Sequence, residues 1–306
     1  MELKNLSGVW IPICTPFTEG EIDIDKLGKN MEVYSHAPLG GYFALGSNGE
    51  ACMLDSRERI KALQIIVKNK GENQLVMVGC GHESARGTIA LIEEVAGKGA
   101  DIVSIITPHY FKKAMTDKAL IAFYEKVADN STLPVVLYNA PGFAGGVQLS
   151  VRALVKLSEH PNIIGMKDSS SIGPNIFLAY ANKENFSILA GSANFLLPSL
   201  VMGAAGGVLS LANFLPYPCC FLYKFFQEGE MEKAIKLQQA ILRVNNEVSG
   251  AYGVAGVKAA MDFTGFYGGD PRLPLLPLSS KEKENILLIL KKFTQQYPEF
   301  KHYLKS

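Results

Sequence analysis

Lys167 and Tyr138 are the two residues of this sequence best suited to act together on a carbonyl compound. Each stands near the end of a short apolar run, Tyr138 in "PVVLYNA" and Lys167 in "NIIGMKDS". Because side chains alternate along a strand, Lys167 and Asp168 face opposite sides of theirs. Neighbouring strands lie about 4.8 Å apart, so a lysine and a tyrosine at one height of a sheet can meet.

A lysine enclosed by apolar groups has a lowered pKa, because such surroundings disfavour the ammonium form. The neutral amine attacks a ketone to form a Schiff base, an electron sink for making or breaking the neighbouring carbon–carbon bond. Tyr138 can donate and accept a proton at the carbinolamine and at the aldol oxygen. Position alone leaves a structural alternative open, in which Lys167 extends to solvent and Tyr138 fills a core layer.

Eight short runs rich in Val, Ile and Leu are predicted to be the strands that position this pair. They begin at residues 8, 41, 75, 101, 134, 162, 186 and 205. Stretches with helical apolar spacing separate most of them, and several end in Gly or Asn, as helices often do. Near-continuous apolar strands indicate a parallel sheet covered by helices. Such repeats fit a long open sheet or a closed barrel, and their spacing favours an α/β fold of the (β/α)8 TIM-barrel type.

The rest of the chain is predicted to be helical. We expect residues 1–217 to form the barrel and 218–306 a C-terminal helical region packed on it, because no linker marks a free second domain. Ser279 and Glu282 have the spacing of a capping box in the last helix, as do Asp55 and Glu58 in the second. In such barrels the active site lies at the C-terminal ends of the strands, where Lys167 and Tyr138 are expected.

The composition excludes several classes of protein. The 306 residues are 48% hydrophobic and 19% charged, with a formal net charge of +1, which excludes disordered and fibrous classes. The sequence has no basic stripe with interleaved aromatics, so we do not expect nucleic acid as a partner. The five cysteines form no CxxC pattern and are predicted to be buried thiols in a reducing compartment. Because we find neither a signal-peptide pattern nor a membrane-length apolar run, we expect a cytoplasmic protein.

Two other patterns predict no cofactor. "GCGHESARG" resembles a dinucleotide fingerprint, but Ser84 replaces the third glycine, and it more plausibly caps the following helix. The histidines have no metal-ligand spacing, so a metal-dependent reaction is not expected. They are His36, His82, His109, His160 and His302.

Four motifs resemble, in order and spacing, those of the class I pyruvate aldolase family that includes dihydrodipicolinate synthase and N-acetylneuraminate lyase. They are "GSNGE" after the second strand, "TPHY" after the fourth, "YNAP" after the fifth and "GMKDSS" at the sixth. The resemblance implies a (β/α)8 barrel with a C-terminal helical extension, pyruvate as a reactant, and a homotetramer built as a dimer of dimers. It also implies a carbon–carbon lyase that needs no cofactor.

The same resemblance implies roles for individual residues. Lys167 corresponds to the Schiff-base lysine and Tyr138 to the acid/base tyrosine. Ser47 and Asn48 occupy the small polar pair that holds the carboxylate of the 2-oxo acid. Tyr110 resembles the tyrosine that enters the neighbouring subunit's site and completes a hydroxyl relay through Ser47, which implies at least a dimer.

Three more residues are candidates for substrate contacts. Ser169 falls on the Lys167 side of its strand, where it can make a distal polar contact or cap the following turn. The glycine-rich segments around Gly191 and Ser192 can form a phosphate site in other barrels. In the resembled family they close around the Schiff base, so we treat both residues as substrate contacts.

Phe143 and Asn48 bear on the substrate. The synthases carry an arginine at the position of Phe143, where it holds the carboxylate of the aldehyde, and Phe cannot form that bidentate ion pair. With Asn48, the motifs are most similar to aldolases that cleave 4-hydroxy-2-oxoglutarate or 2-keto-3-deoxy sugar acids to pyruvate and an aldehyde. Condensation of pyruvate with aspartate semialdehyde and a noncatalytic 2-oxo-acid-binding barrel remain the alternatives.

Overall fold

Eight parallel strands close into a barrel in the computed structural model of this protein, which describes residues 6–171, 173–181, 183 and 185–304. The strands are β1 (Gly8–Pro12), β2 (Gly41–Ala44), β3 (Leu75–Gly79), β4 (Ile102–Ile106), β5 (Val135–Asn139), β6 (Ile163–Asp168), β7 (Ser187–Ala190) and β8 (Gly206–Val208). Each pairs with the next in the chain, and β8 closes on β1. All eight predicted strands form, and the (β/α)8 barrel, rather than an open sheet, is confirmed.

Helices connect the strands and cover the barrel. They are α1 (Ile24–Ser35), α2 (Ser56–Asn69), α3 (Ala85–Ala96), α4 (Asp117–Asp129), α5 (Val151–Leu157), α6 (Asn175–Ala181), α7 (Leu196–Val201) and α8 (Pro216–Gln227). The predicted capping box of Asp55 and Glu58 begins α2. Ser84 accepts from the Gly87 amide at 3.1 Å, so this segment caps α3, as expected.

Three further helices follow: α9 (Met231–Asn245), α10 (Ala251–Phe263) and α11 (Ser280–Gln296), the last with the predicted Ser279–Glu282 capping box. A π-helical turn, Asn246–Gly250, joins α9 to α10. The buried apolar residues of these helices belong to the same apolar cluster as those of the barrel helices. Residues on both sides of position 217 therefore share one core. The boundary at residue 217 itself stays a prediction.

A two-stranded antiparallel ribbon, Phe17–Thr18 with Glu21–Ile22, lies between β1 and α1. The sequence analysis did not predict it, because strands of two residues are too short to show a period.

Large side chains fill the barrel interior and form a cluster of their own. It includes Trp10, Phe43, Met77, Ile102, Val136, Tyr138, Ile164, Leu189 and Val208, which come from all eight strands. Burial of such a side chain stabilises the fold by about 1.5–3 kcal/mol. The interior is therefore packed and apolar up to the level of Tyr138.

The cysteines are free thiols, and four of the five are buried. The prediction was wrong for Cys52, which is exposed in the single turn of 3₁₀ helix Ala51–Met53. Among the described residues, no helix is long and apolar enough to cross a membrane. The side chain of His302 lies outside the described residues.

Candidate active site

Lys167 and Tyr138 are register partners on the adjacent strands β6 and β5. Both residues are only 4% exposed, and the lysine Nζ lies 4.1 Å from the centroid of the Tyr138 ring. The same Nζ lies 4.6 Å from the centroid of the Phe43 ring. Lysine and tyrosine therefore meet as predicted, and the alternative in which Lys167 extends to solvent is wrong.

Burial lowers the pKa of Lys167, and the neighbouring Tyr138 hydroxyl opposes part of this effect. No ion pair joins this amine to a carboxylate within the described part of the chain. The next residue, Asp168, is turned away from it and accepts from Asn139 Nδ2 at 2.6 Å and Ser170 Oγ at 2.8 Å. Asp168 thus holds the strand ends together, and the amine is left with a raised population of its neutral form.

Ser47 lies in the loop 46–50 (GSNGE), which follows β2. Its Oγ is 3.4 Å from the Tyr138 hydroxyl. The loop turns through bonds from the Gly49 amide to Gly46 O and from the Glu50 amide to Ser47 O, both 3.1 Å. Among the described residues, no acceptor takes the backbone N–H of Ser47 or Asn48. Two adjacent amide donors are therefore available for an anionic ligand.

The two glycines of this loop are required for space rather than for φ. A Cβ on Gly46 would lie 2.6 Å from the Phe43 ring, and one on Gly49 would lie 3.0 Å from Ile13 O. The left-handed φ values fall instead on Leu45 (54°) and Glu50 (53°). Such values are uncommon outside glycine, so the loop is held in a strained conformation.

Asn48 is buried, and its Oδ1 accepts from Ser210 Oγ at 3.2 Å. Its Nδ2 makes no regular hydrogen bond among the described residues, although the Asn48 side chain acts on the buried Cys14 thiol and lowers its pKa against the larger effect of burial. A buried donor without a partner is costly unless a ligand or water satisfies it. Ser210, which follows β8 in the run "VLSLAN", was not predicted, because nothing in the local sequence relates it to Asn48.

Tyr110 lies in the loop after β4 and is 78% exposed, with its ring against that of Phe111. Glu83, which the sequence analysis did not single out, accepts from the backbone amides of His109 and Tyr110, each at 2.9 Å. No contact within the described chain joins the Tyr110 side chain to Ser47 or Tyr138. Its role in a neighbouring subunit stays a prediction.

Ser169 and Gly191 lie side by side at the ends of β6 and β7. The Ser169 hydroxyl donates to Gly191 O at 3.4 Å, and a Cβ on Gly191 would lie 2.1 Å from that hydroxyl. Ser192 caps the 3₁₀ helix Ala193–Phe195 and accepts from Asn245 Nδ2 at 3.4 Å. The structure thus gives Ser192 a local partner and leaves its predicted contact with substrate untested.

A cleft of about 700 Å³ opens above Ser47 and Tyr138. Its outer walls are apolar and include residues 253–255, Leu275 and Leu276. Phe143 lies at this cleft and is 57% exposed. The described residues include no group of three or more His, Cys, Asp or Glu side chains placed to bind a metal.

Comparison with known proteins agrees with the four motifs. Residues 5–293 match the model of the dihydrodipicolinate synthetase family. The chain is 33% identical over 282 residues to a probable mitochondrial 4-hydroxy-2-oxoglutarate aldolase of Emericella nidulans, covering 90% of this chain and 91% of that one. It is 29% identical to a 4-hydroxy-tetrahydrodipicolinate synthase of Geobacter metallireducens, with 94% and 98% covered.

A solved structure shows the same fold. YagE, a prophage protein of E. coli K12 described as a dihydrodipicolinic acid synthase family member in complex with pyruvate, superimposes with a TM-score of 0.87 at 28% identity. The match covers 94% of this chain and 99% of YagE. The resemblance inferred from the motifs is confirmed: the chain belongs to the dihydrodipicolinate synthetase family and is a lyase, a class I aldolase.

Proposed function

We propose that this aldolase cleaves a 4-hydroxy-2-oxo acid to pyruvate and an aldehyde through a Schiff base on Lys167. The substrate is of the 4-hydroxy-2-oxoglutarate or 2-keto-3-deoxy sugar acid type. One observation carries the proposal: the buried Lys167 amine has a lowered pKa and lies against Tyr138. A neutral amine beside a phenol is the pair that imine chemistry needs.

In this mechanism the Lys167 amine attacks C2 of the oxo acid, and Tyr138 gives its proton to the carbinolamine hydroxyl, which leaves as water and creates the iminium and a Tyr138 phenolate. Tyr138 accepts the proton of the C4 hydroxyl while the C3–C4 bond breaks and its electron pair moves toward the iminium. The aldehyde departs, the enamine is protonated at C3, and hydrolysis releases pyruvate and the free amine. Tyr138 therefore supplies both the base and the returning acid.

The free backbone amides of Ser47 and Asn48 suit the carboxylate of the oxo acid, since oriented N–H groups bind anions well. Ser47 Oγ, at 3.4 Å from the Tyr138 hydroxyl, then relays protons between Tyr138 and a second hydroxyl. The exposed Tyr110 of another copy would supply that hydroxyl. We accordingly propose a homotetramer built as a dimer of dimers, in which each site is completed by its neighbour.

Asn48 Nδ2, buried without a regular hydrogen bond, is the candidate donor for a polar group of the substrate beyond C3. The amide can donate to the C4 hydroxyl or to a distal carboxylate. Ser169, beside Gly191 at the strand ends, is a second candidate to bind the distal polar group of the substrate. Gly191 and Ser192 are candidates to form the wall of the site around the imine. The free thiols support a reducing compartment, for which we propose the cytoplasm.

Condensation of pyruvate with aspartate semialdehyde is the second candidate, favoured by the similarity to the Geobacter synthase. Phe143 disfavours this reaction, because a phenyl ring cannot form an ion pair with the second carboxylate of the substrate. A noncatalytic barrel that binds a 2-oxo acid is less favoured still. Binding alone gives no reason to bury an amine, which costs free energy in proportion to the lowering of its pKa.

Borohydride reduction in the presence of pyruvate tests the covalent step. Peptide mapping by mass spectrometry should place the label on Lys167, and Lys167→Arg should abolish both label and cleavage while the fold persists. An unmodified Lys167, or label on another lysine, would refute the mechanism. A panel of 4-hydroxy-2-oxo acids with coupled detection of pyruvate identifies the substrate, and faster condensation with aspartate semialdehyde would favour the second candidate.

A further inference from the structure

Glu50 and Lys258 form a fully buried ion pair at the end of the loop 46–50. Glu50 Oε1 lies 2.6 Å from Lys258 Nζ, and the two side chains are 1% and 0% exposed. Glu50 Oε2 accepts from the Arg272 amide at 2.8 Å. Lys258 Nζ also donates to Asp270 O at 3.1 Å and lies 4.3 Å from the centroid of the Phe17 ring. Both charges are therefore compensated, and neither has a part in the mechanism above.

The ion pair is attached to the backbone that presents the free amides. Glu50 is in the left-handed region, its N–H donates to Ser47 O, and its carbonyl accepts from the Met53 amide at 2.8 Å. Thr15 Oγ1 donates a hydrogen bond to the carbonyl of the preceding residue, Gly49, at 2.7 Å. A strained conformation persists only where its surroundings impose it, and here Lys258 and the Arg272 amide fix the Glu50 side chain.

Charge-assisted hydrogen bonds fix direction more strictly than apolar contacts do. A buried ion pair adds little net stability over an apolar pair of the same shape, so stability alone gives a weak reason for this one. Lys258 lies in α10, whose residues 253–255 form a wall of the cleft. The pair thus connects the helix that lines part of the cleft to the loop that carries Ser47 and Asn48.

We propose that the Glu50–Lys258 pair is a positioning device that holds the Ser47 and Asn48 amides in the geometry that binds the carboxylate of the 2-oxo acid. This inference rests on the proposed function. Glu50 and Lys258 act through the loop and are positioning residues. Their removal should weaken capture of the oxo acid more than it affects the chemistry on Lys167 once the site is saturated.

The double variant Glu50→Gln/Lys258→Met removes both charges together, so that no buried charge is left unpaired. Glu232→Gln/Lys236→Met is the control, because it makes the same two changes in an exposed ion pair of α9, with 2.6 Å between Lys236 Nζ and Glu232 Oε1, that does not touch the loop. The half-saturating pyruvate concentration for borohydride trapping should rise about tenfold or more in the double variant. The label at saturation should remain on Lys167, and the control should match the wild type.

Hydrogen exchange of the loop amides supplies a readout that does not depend on turnover. Exchange over residues 43–54 should be faster in the double variant and unchanged in the control. If the wild type is never labelled, the proposed function and this inference both fail. Labelling of the wild type with an unchanged half-saturation in the double variant overturns this inference alone. Should the double variant not fold, wild-type exchange decides: hydrogen-bonded Gly49 and Glu50 amides that exchange as fast as the exposed Gly142 amide overturn it.

Discussion

Replacing Tyr138 by phenylalanine removes one hydroxyl and keeps the ring that packs edge-on against Phe43, with centroids 5.7 Å apart. The lost contact to Ser47 is long, at 3.4 Å, so the free energy of unfolding should fall by no more than about 1 kcal/mol. Turnover should fall much further, by about 10²–10⁴-fold, because proton transfer by a positioned side chain contributes that much. This range corresponds to about 3–5 kcal/mol in activation free energy.

Coupled detection of pyruvate release measures the turnover, and thermal unfolding measures the stability. Tyr124→Phe is the control, because Tyr124 is equally buried and donates its hydroxyl to Ile105 O at 3.1 Å, outside the barrel interior. It should lose similar stability and keep its activity. A Tyr138→Phe enzyme that retains more than about a tenth of wild-type turnover would contradict the assignment of Tyr138 as acid and base.

Three other substitutions test separate parts of the site. Lys167→Met should abolish trapping. It should also raise the free energy of unfolding at neutral pH, because burial disfavours the ammonium form of Lys167. This gain in stability should disappear as the pH rises through the pKa of a lysine in the unfolded chain, ~10.4. Denaturant unfolding across pH measures it, and a gain independent of pH would contradict the cause. Gly191→Ala places a Cβ 2.1 Å from Ser169 Oγ and 2.3 Å from Asp168 O, and should lower the free energy of unfolding, measured by thermal unfolding, by about 1–3 kcal/mol. Gly142→Ala, whose Cβ would have no atom within 4 Å, should change it little. Phe143→Arg should lower the half-saturating concentration of aspartate semialdehyde about tenfold while Phe143→Met does not, and equal effects would show that residue 143 does not contact that carboxylate.

The fold could be predicted because its strands are buried on both faces and therefore appear as separate apolar runs. The pairing of Lys167 with Tyr138 could be predicted as well, since strand ends and side-chain alternation place both residues at one height. Glu50 and Lys258 are 208 residues apart in the chain, and only the closed barrel brings them together. Asn48 and Ser210, 162 residues apart, were unpredictable for the same reason.

The loop 46–50 shows a subtler limit of sequence reasoning. The left-handed residues at this loop are Leu45 and Glu50 rather than its two glycines. Gly46 is needed because the Phe43 ring occupies the space of its Cβ. Sequence patterns report which residues tolerate a conformation, whereas the crowding that selects a glycine depends on tertiary neighbours.

The Phe43 ring has a consequence for the pH at which this enzyme works. It covers the Lys167 amine from one side and Tyr138 covers it from another, and among the described residues no neighbouring cation lowers the pKa of the lysine. The apolar surroundings of the amine exclude water, and the extent of this exclusion sets the fraction of neutral amine near neutral pH. A smaller side chain at position 43 would let water reach the amine, raise the pKa of Lys167 and move the pH optimum toward alkaline values while every reacting group stayed in place.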